Sequence, residues 1–503
     1  MLLCRVSKLA CSLLAFSILS TQSLTVRAQY AGAAPPPEAL ATGFESITPE
    51  QCKEWLNVLA GPEFEGRGTG QAGHIKAAHW IAGKCAEFNL TPKGEGGTYF
   101  QMLPMSRLLV DSAQSRLVLV EQAIGFEGAV SLERFTPDPV TEGKVAFLNI
   151  SDGKVELEDS QAFRGKIVIF SSDDKADESV VRTLLRRRPT AILEVVSELP
   201  ESGSQLKRPG GRRRSNSVNG YITKTTAEKI LKACGGEQSW LEPAEDKKTK
   251  FNTTDQTLLL ETRVYEEPIS VPNVVAWYQG SDPELADEYL VIGSHLDHLG
   301  VRGDTIYPGA DDNGSGSTAV LNIAKAISAN PVKPKRSILF IWFAAEEMGL
   351  LGSAHFVGDP TVPLDKMIAM LNIDMVGRNE EKRNESADDN INSLHLVGSK
   401  KGDPELHEII LEANKHVKLS FEFDEEGVFG RSDQANFYRK GTSVAFLFGG
   451  FHPDYHRPTD EPSKINYEKI AAAAKLYYLT AHGVTEHGFL PIPEKPAASE
   501  GAE

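Results

Sequence analysis

The chain has 503 residues, more than one core of roughly 100–200 residues requires, so two or three domains are expected. Hydrophobic residues make up 41% and charged residues 24%, which excludes a wholly disordered or collagen-like chain. A formal net charge of −16 argues against nucleic acid as a partner, because a phosphate backbone repels an acidic surface.

At the start, Arg5 and Lys8 flank an apolar stretch from Leu9 to Leu19 that is too short to span a bilayer comfortably, and Val26-Arg27-Ala28 offers small residues for cleavage. Residues 1–28 read as a signal peptide that is removed, which implies export and leaves no integral membrane span; an uncleaved anchor is the alternative. The remaining cysteines, Cys52, Cys85 and Cys234, are odd in number and form no disulfide framework. Cys52 with Cys85 is the candidate pair, and buried free thiols are the preferred reading.

Residues 29–43 carry three consecutive prolines and little to bury, so they read as a linker. Thr48-Pro49-Glu50-Gln51 supplies an N-cap, a proline at the first helical position and Gln at the capping-box position, followed by Trp55, Leu56 and Leu59 at helical spacing. A second helix is expected over 71–88, with Ile75, Ala78, Ala82 and Cys85 on one face. From about 107 short β-type runs such as Lys166-Ile167-Val168-Ile169-Phe170 alternate with turn residues, predicting a separate β-rich domain over 107–265, with a helical stretch at 226–233. Its basic cluster, Lys207, Arg208, Arg212, Arg213 and Arg214 around Pro209-Gly210-Gly211, lacks aromatic stacking partners and reads as a solvated loop.

Beyond 273 strand and helix alternate: strands at 289–293, 337–343, 369–373 and 443–448, helices at 316–329 and 404–416. The class is therefore α/β, a mostly parallel mixed sheet flanked by helices. This domain is expected to be built from two segments, 44–106 and 266–483, with the Pro, Ala and Glu rich end over 484–503 as a flexible tail.

In such a sheet ligands gather beyond the carboxyl ends of the strands. After Tyr289-Leu290-Val291-Ile292 comes Gly293-Ser294-His295-Leu296-Asp297-His298; after the 337–343 run comes Ala344-Ala345-Glu346-Glu347; after Met370-Leu371-Asn372-Ile373 comes Asp374. Pro308-Gly309-Ala310-Asp311-Asp312-Asn313-Gly314 precedes a helix, and Asp454-Tyr455-His456-Arg457-Pro458-Thr459-Asp460 stands late in the chain. Singly, each carboxylate reads as a cap and each His as structural. Jointly they match a nitrogen and oxygen site for zinc or a similar divalent ion. On chemistry alone His298 competes with His295, and His452 with His456. Two divalent cations against Asp311, Glu347 and Asp374 leave one net positive charge, the condition under which a bound water is acidified.

SHLDH, PGADDNGSG, AAEE, NIDMVG and YHRPTDEPSKI, in this order, resemble the co-catalytic zinc aminopeptidases, whose relatives include glutamate carboxypeptidase and the transferrin receptor. LAGPEFEGRGTGQAGHIKAAHWIA resembles that family's N-terminal region, and the insert, through FRGKIVIF, resembles a protease-associated domain. The resemblance implies two Zn2+ ions, with Asp311 bridging, His295 and Asp374 on one ion, and Glu347 and His456 on the other. It implies Glu346 as general base, Asp297 orienting the His295 ring, and a cis bond between Asp311 and Asp312. Neighbouring side chains of an extended segment point opposite ways, which would separate Glu346 from Glu347. Capping is the default for Ser432 and Asp433, before a helix at 434–439. The implied activity is removal of N-terminal residues from peptides or proteins. A carboxypeptidase or dipeptidase, for which Arg378 and Arg431 are the available cations, and a non-catalytic receptor-like protein are the rivals.

Overall fold

The computed structural model describes residues 29–488 apart from 120–121, 137–139, 151–161, 173–177, 208–217, 243–248 and 424–425. The expected signal peptide, nearly all of the basic cluster and the final residues lie outside the described residues.

Four continuous apolar runs form the centre of the larger sheet. Ser337–Phe343, Tyr289–His295, Met367–Asp374 and Val444–Phe448 lie side by side in that order, all parallel. Every position in them is buried, as befits parallel strands covered on both faces. Alternate residues feed opposite layers. Leu290 and Ile292 pack with the Gly316–Ala329 and Tyr467–His487 helices, whereas Val291 packs with Phe356 and Phe437 from two short helices behind. Because the chain leaves Tyr289–His295 on one face and returns on the other, this strand lies at a switch point, where a crevice opens. Antiparallel strands extend the sheet on both sides: Ser393–Val397 beside Val444–Phe448, and Val264–Tyr278 beside Ser337–Phe343.

The expected helices are present, over Pro49–Leu59, Ala72–Glu87, Gly316–Ala329 and Pro404–Asn414. The Thr48 side chain accepts the Gln51 N–H at 3.2 Å, but the Gln51 amide turns to Glu54, so half of the capping box forms. Cys52, Cys85 and Cys234 are free thiols, the first two buried.

A second, eight-stranded sheet runs between Arg116 and Glu261. Helices Glu178–Arg186 and Lys224–Ala233 cover its two faces. It joins the larger sheet through a long antiparallel pair, Phe100–Val110 with Val264–Tyr278. It also lends the larger sheet an edge strand, Gln205–Lys207, paired with Phe100–Val110; Lys207 is ion-paired to Glu266 at 2.7 Å rather than merely solvated. Residues 29–43, expected as a linker, are docked instead. Tyr30 and Ala34 donate backbone hydrogen bonds to Val417 and Lys415, and Tyr30 and Leu40 pack on the main core. These two apolar side chains are enough to hold a proline-stiffened segment that loses little entropy on docking.

Candidate metal centre

Most of the candidate side chains sit where a strand of the parallel centre ends, and Asp312 and His456 come from loops. His295 and Asp374 are the last residues of their strands. Glu346 and Glu347 follow Ser337–Phe343 in a turn rather than an extended segment: Ala345 has φ +55°, and the Glu346 carbonyl accepts from Gly349 and Leu350. This turn sends Glu346 toward His295, at 4.0 Å, and Glu347 toward His298 and His456, at 2.9 and 3.2 Å.

Two groups of donor atoms result, and they share one residue. His295 Nε2 lies 3.2 Å from Asp374 Oδ1 and 3.5 Å from Asp312 Oδ1. His456 Nε2 lies 3.0 Å from Asp312 Oδ2 and 3.2 Å from Glu347 Oε2. Of the five ligands expected from the sequence, His295, Glu347, Asp374 and His456 converge.

Asp311 does not: its neighbour Asp312 stands between the two groups. The Asp311 carboxylate accepts the Gly377 N–H at 2.6 Å and lies 3.3 Å from His452 Nε2, one layer behind the cluster. The reason is backbone conformation. Asp312 is extended (φ −98°, ψ 101°), Asn313 is also non-helical, and the helix proper begins at Gly316, so the two aspartates point to opposite sides. The cis bond likewise falls one residue later than expected, at Asp312–Asn313. His452 belongs with Asp311 and His456 with the cluster.

A supporting layer locks these loops. Asp460 accepts the backbone N–H groups of both Asp311 and Asp312 at 3.0–3.2 Å. Arg67, fully buried, donates to the carbonyls of Leu59, Leu296, Pro308 and Gly309 at 2.7–2.9 Å. Gly309, at φ +58°, leaves no room for a side chain: a Cβ there would meet the His298 ring at 2.5 Å. Asp297 orients His295 differently than expected. Its backbone carbonyl, not its carboxylate, lies 3.0 Å from His295 Nδ1. The carboxylate accepts from Thr69 Oγ1 at 2.7 Å and from the Glu346 N–H at 3.0 Å, so it positions the glutamate turn. Sequence reasoning missed Arg67, Thr69 and Asp460, although GRGTG and RPTDEPS contained them. Ser432 and Asp433 make no side-chain cap; Ser432 accepts from Asn372 at 2.8 Å.

The electrostatics show a shortage of positive charge. Asp297, Asp311, Asp312, Asp374, Asp433 and Asp460 are all buried; two buried cations stand near them, Lys469 by Asp311 and Arg67, which burial pulls down to about 10 against the attraction of Asp312, Asp460 and Asp297. Burial raises the Asp433 carboxyl to about 7 and, aided by Asp311, that of Asp460 to about 6. Burial disfavours charge on His456, yet Asp312 and Glu347 outweigh it and push the imidazole up to about 10. Burial also lifts Glu346 well above the usual carboxylate range. Both nitrogens of His298 and Glu347 Oε1 are buried without a hydrogen-bond partner. Buried carboxylates and unpartnered donors call for cations, and an imidazole and carboxylate set fits zinc or a similar ion.

Beside the cluster opens a cleft of about 360 Å³, part of it open to solvent. Met375, Val428, Phe446, Phe448, Phe451 and Tyr455 line its apolar side, and Arg431 stands among them. Arg431 lies 5.0 Å over the Phe451 ring and 3.5 Å from the Tyr455 hydroxyl, with no carboxylate partner among the described residues. Arg378, by contrast, is paired with Asp454 at 3.0 Å.

The chain is similar to several known proteins. Residues 273–481 match the profile of peptidase family M28. Leupeptin-inactivating enzyme 1 of Streptomyces exfoliatus is 31% identical over 214 residues, 42% of this chain and 43% of that protein. Aminopeptidase YwaD of Bacillus subtilis is 32% identical over 178 residues, 34% and 36% of the two chains. The chain thus spans less than half the length of these curated relatives. Two solved structures share the fold over nearly their whole length. The aminopeptidase from Aneurinibacillus sp. strain AM-1 has TM-score 0.51 at 18% identity and covers 90% of this chain and 98% of its own. A peptidase M28 precursor from Shewanella amazonensis has TM-score 0.51 at 17% identity and covers 91% and 98%. Residues 273–481 are therefore similar to peptidase family M28, and the chain as a whole shares the fold of the two solved structures.

Proposed function

We propose that this chain is an exported two-zinc aminopeptidase that cleaves the first peptide bond of peptides or proteins. The observation that carries the reading is Asp312 shared between two donor groups, with Glu346 4.0 Å from His295 of one group and a member of neither. Bound there, the cations would acidify a water and polarise the scissile carbonyl. Glu346, whose buried carboxylate has a raised proton affinity, takes the proton of the attacking water and delivers it to the leaving amine. Asp297 holds the Glu346 backbone, so the base is fixed by a group that does no chemistry itself. The Met375, Phe446, Phe448 and Phe451 wall receives the first side chain, which favours apolar or aromatic residues. Export rests on the leader-like residues 1–28; among the described residues no helix is long and apolar enough to cross a membrane.

One observation favours a second reading. Arg431 lines the cleft without a carboxylate partner among the described residues and fits a free C-terminal carboxylate, as a dipeptidase requires. A panel of aminoacyl anilides, dipeptides, longer peptides and N-acetylated peptides separates these. The expected result is chelator-sensitive release of apolar N-terminal residues and no cleavage of N-acetylated peptides. Exclusive turnover of dipeptides would transfer the assignment to the second reading, and tight metal binding with no turnover on any substrate would make the chain receptor-like.

A further inference from the structure

His298 has no part in the ligand set described so far, yet its surroundings are those of a ligand. Its side chain is fully buried, with Nδ1 2.9 Å from Glu347 Oε1 and 3.6 Å from Asp312 Oδ2. Despite that short distance, Nδ1 makes no hydrogen bond of acceptable geometry, and neither does Glu347 Oε1. With one carboxylate oxygen each from Asp312 and Glu347, a ring nitrogen of His298 forms a set of donor atoms that all lie within 4.8 Å of one another and could hold a cation. His456 reaches the same two carboxylates, and its ring stands edge to face with that of His298 at 5.7 Å. The His298 ring has no room to retreat, since Gly309 packs directly against it and its own backbone N–H is tied to the Arg67 carbonyl at 3.2 Å.

We infer that His298 is a fourth protein ligand to one of the two cations, so that the two positions are inequivalent. The inference rests on the two-cation reading above. One position is closed by four side chains: His298, Asp312, Glu347 and His456. The other has three, His295, Asp312 and Asp374, and stays open. Tetrahedral ligands about 2.0–2.1 Å from zinc lie roughly 3.3 Å from one another, and the measured separations of 2.9, 3.0, 3.2 and 3.6 Å surround that value. A position with four protein ligands holds its ion tightly and offers no place to a water, whereas one with three keeps a place free. The open position is the one beside Glu346, 4.0 Å from His295. An attacking water would thus be held at the position beside Glu346, while the closed position would serve to anchor the loops around it.

Metal content and chelator competition on the full chain test this, comparing the parent with His298→Ala and His295→Ala. The parent should bind two zinc ions of separable affinity. His298→Ala should weaken the tighter one at least about 100-fold and leave the weaker one unchanged; His295→Ala should do the reverse. Parent-like affinities for both ions in His298→Ala would overturn the inference, whereas a parent that binds fewer than two ions would overturn the two-cation reading instead. X-ray absorption on the zinc-loaded parent decides the matter even where a variant fails to fold. Three imidazoles shared by two ions support His298 as a ligand, and two imidazoles rule it out.

Discussion

Asp311 and Asp312 have the same side chain, adjacent positions and equal burial, and only one of them faces the donor groups. The extended dihedrals of Asp312 turn it toward His295 and His456, while Asp311 caps the Gly377 N–H behind. Asp312→Ala should therefore cut zinc content at both positions, whereas Glu346→Gln should keep both ions and lose roughly 100- to 10,000-fold in turnover, the range expected for a missing general base. Metal analysis alongside rate measurement distinguishes them. Full metal content in Asp312→Ala, or parent-like rates in Glu346→Gln, would contradict the roles assigned here.

At the scale of elements, the site is a set of strand ends drawn together by the loops between them, and Arg67 is the principal tie. It joins the carbonyls of Leu59, Leu296, Pro308 and Gly309, three stretches of chain far apart in sequence. Replacing it with methionine keeps most of the volume but leaves those buried acceptors unpaired, at about 1–3 kcal/mol each before relaxation. Arg67→Met should lose at least about 3 kcal/mol in chemical denaturation; a change of only a few tenths would mean that water replaces the guanidinium. The helices were readable because each carries its own signal: Thr48 and Asp403 as caps, Pro49 and Pro404 at the first turn. The Ser393–Val397 and Gln205–Lys207 strands carried no comparable signal, and their pairing is set by partners remote in sequence.

For the whole molecule, the long Tyr467–His487 helix packs against the sheet core and buries His482 beside Tyr478, with Nε2 unpartnered. Burial lowers this imidazole from 6.5 to about 4. The unfolded chain therefore binds a proton that the folded chain refuses as pH falls from about 6.5 to about 4, and stability falls with it, by about 3 kcal/mol in total. Melting of metal-stripped protein across that window should show this acid loss, and His482→Gln should flatten it. Equal slopes in the two proteins would place the acid sensitivity in other groups.

Composition, strand and helix periodicity and the ordered motifs were enough to indicate an α/β sheet, an inserted β-rich region and the residue types of the site, because apolar period and capping chemistry are local properties. His295, Glu347, Asp374 and His456 could be named because each belongs to a motif at a strand end or loop of its own. What only the tertiary structure decided was direction. It chose between Asp311 and Asp312, gave the Asp297 carboxylate to Glu346 rather than to His295, and brought His298 and Arg67 into the cluster. Those outcomes depend on dihedral angles and on contacts between distant loops, and a linear order of residues carries neither.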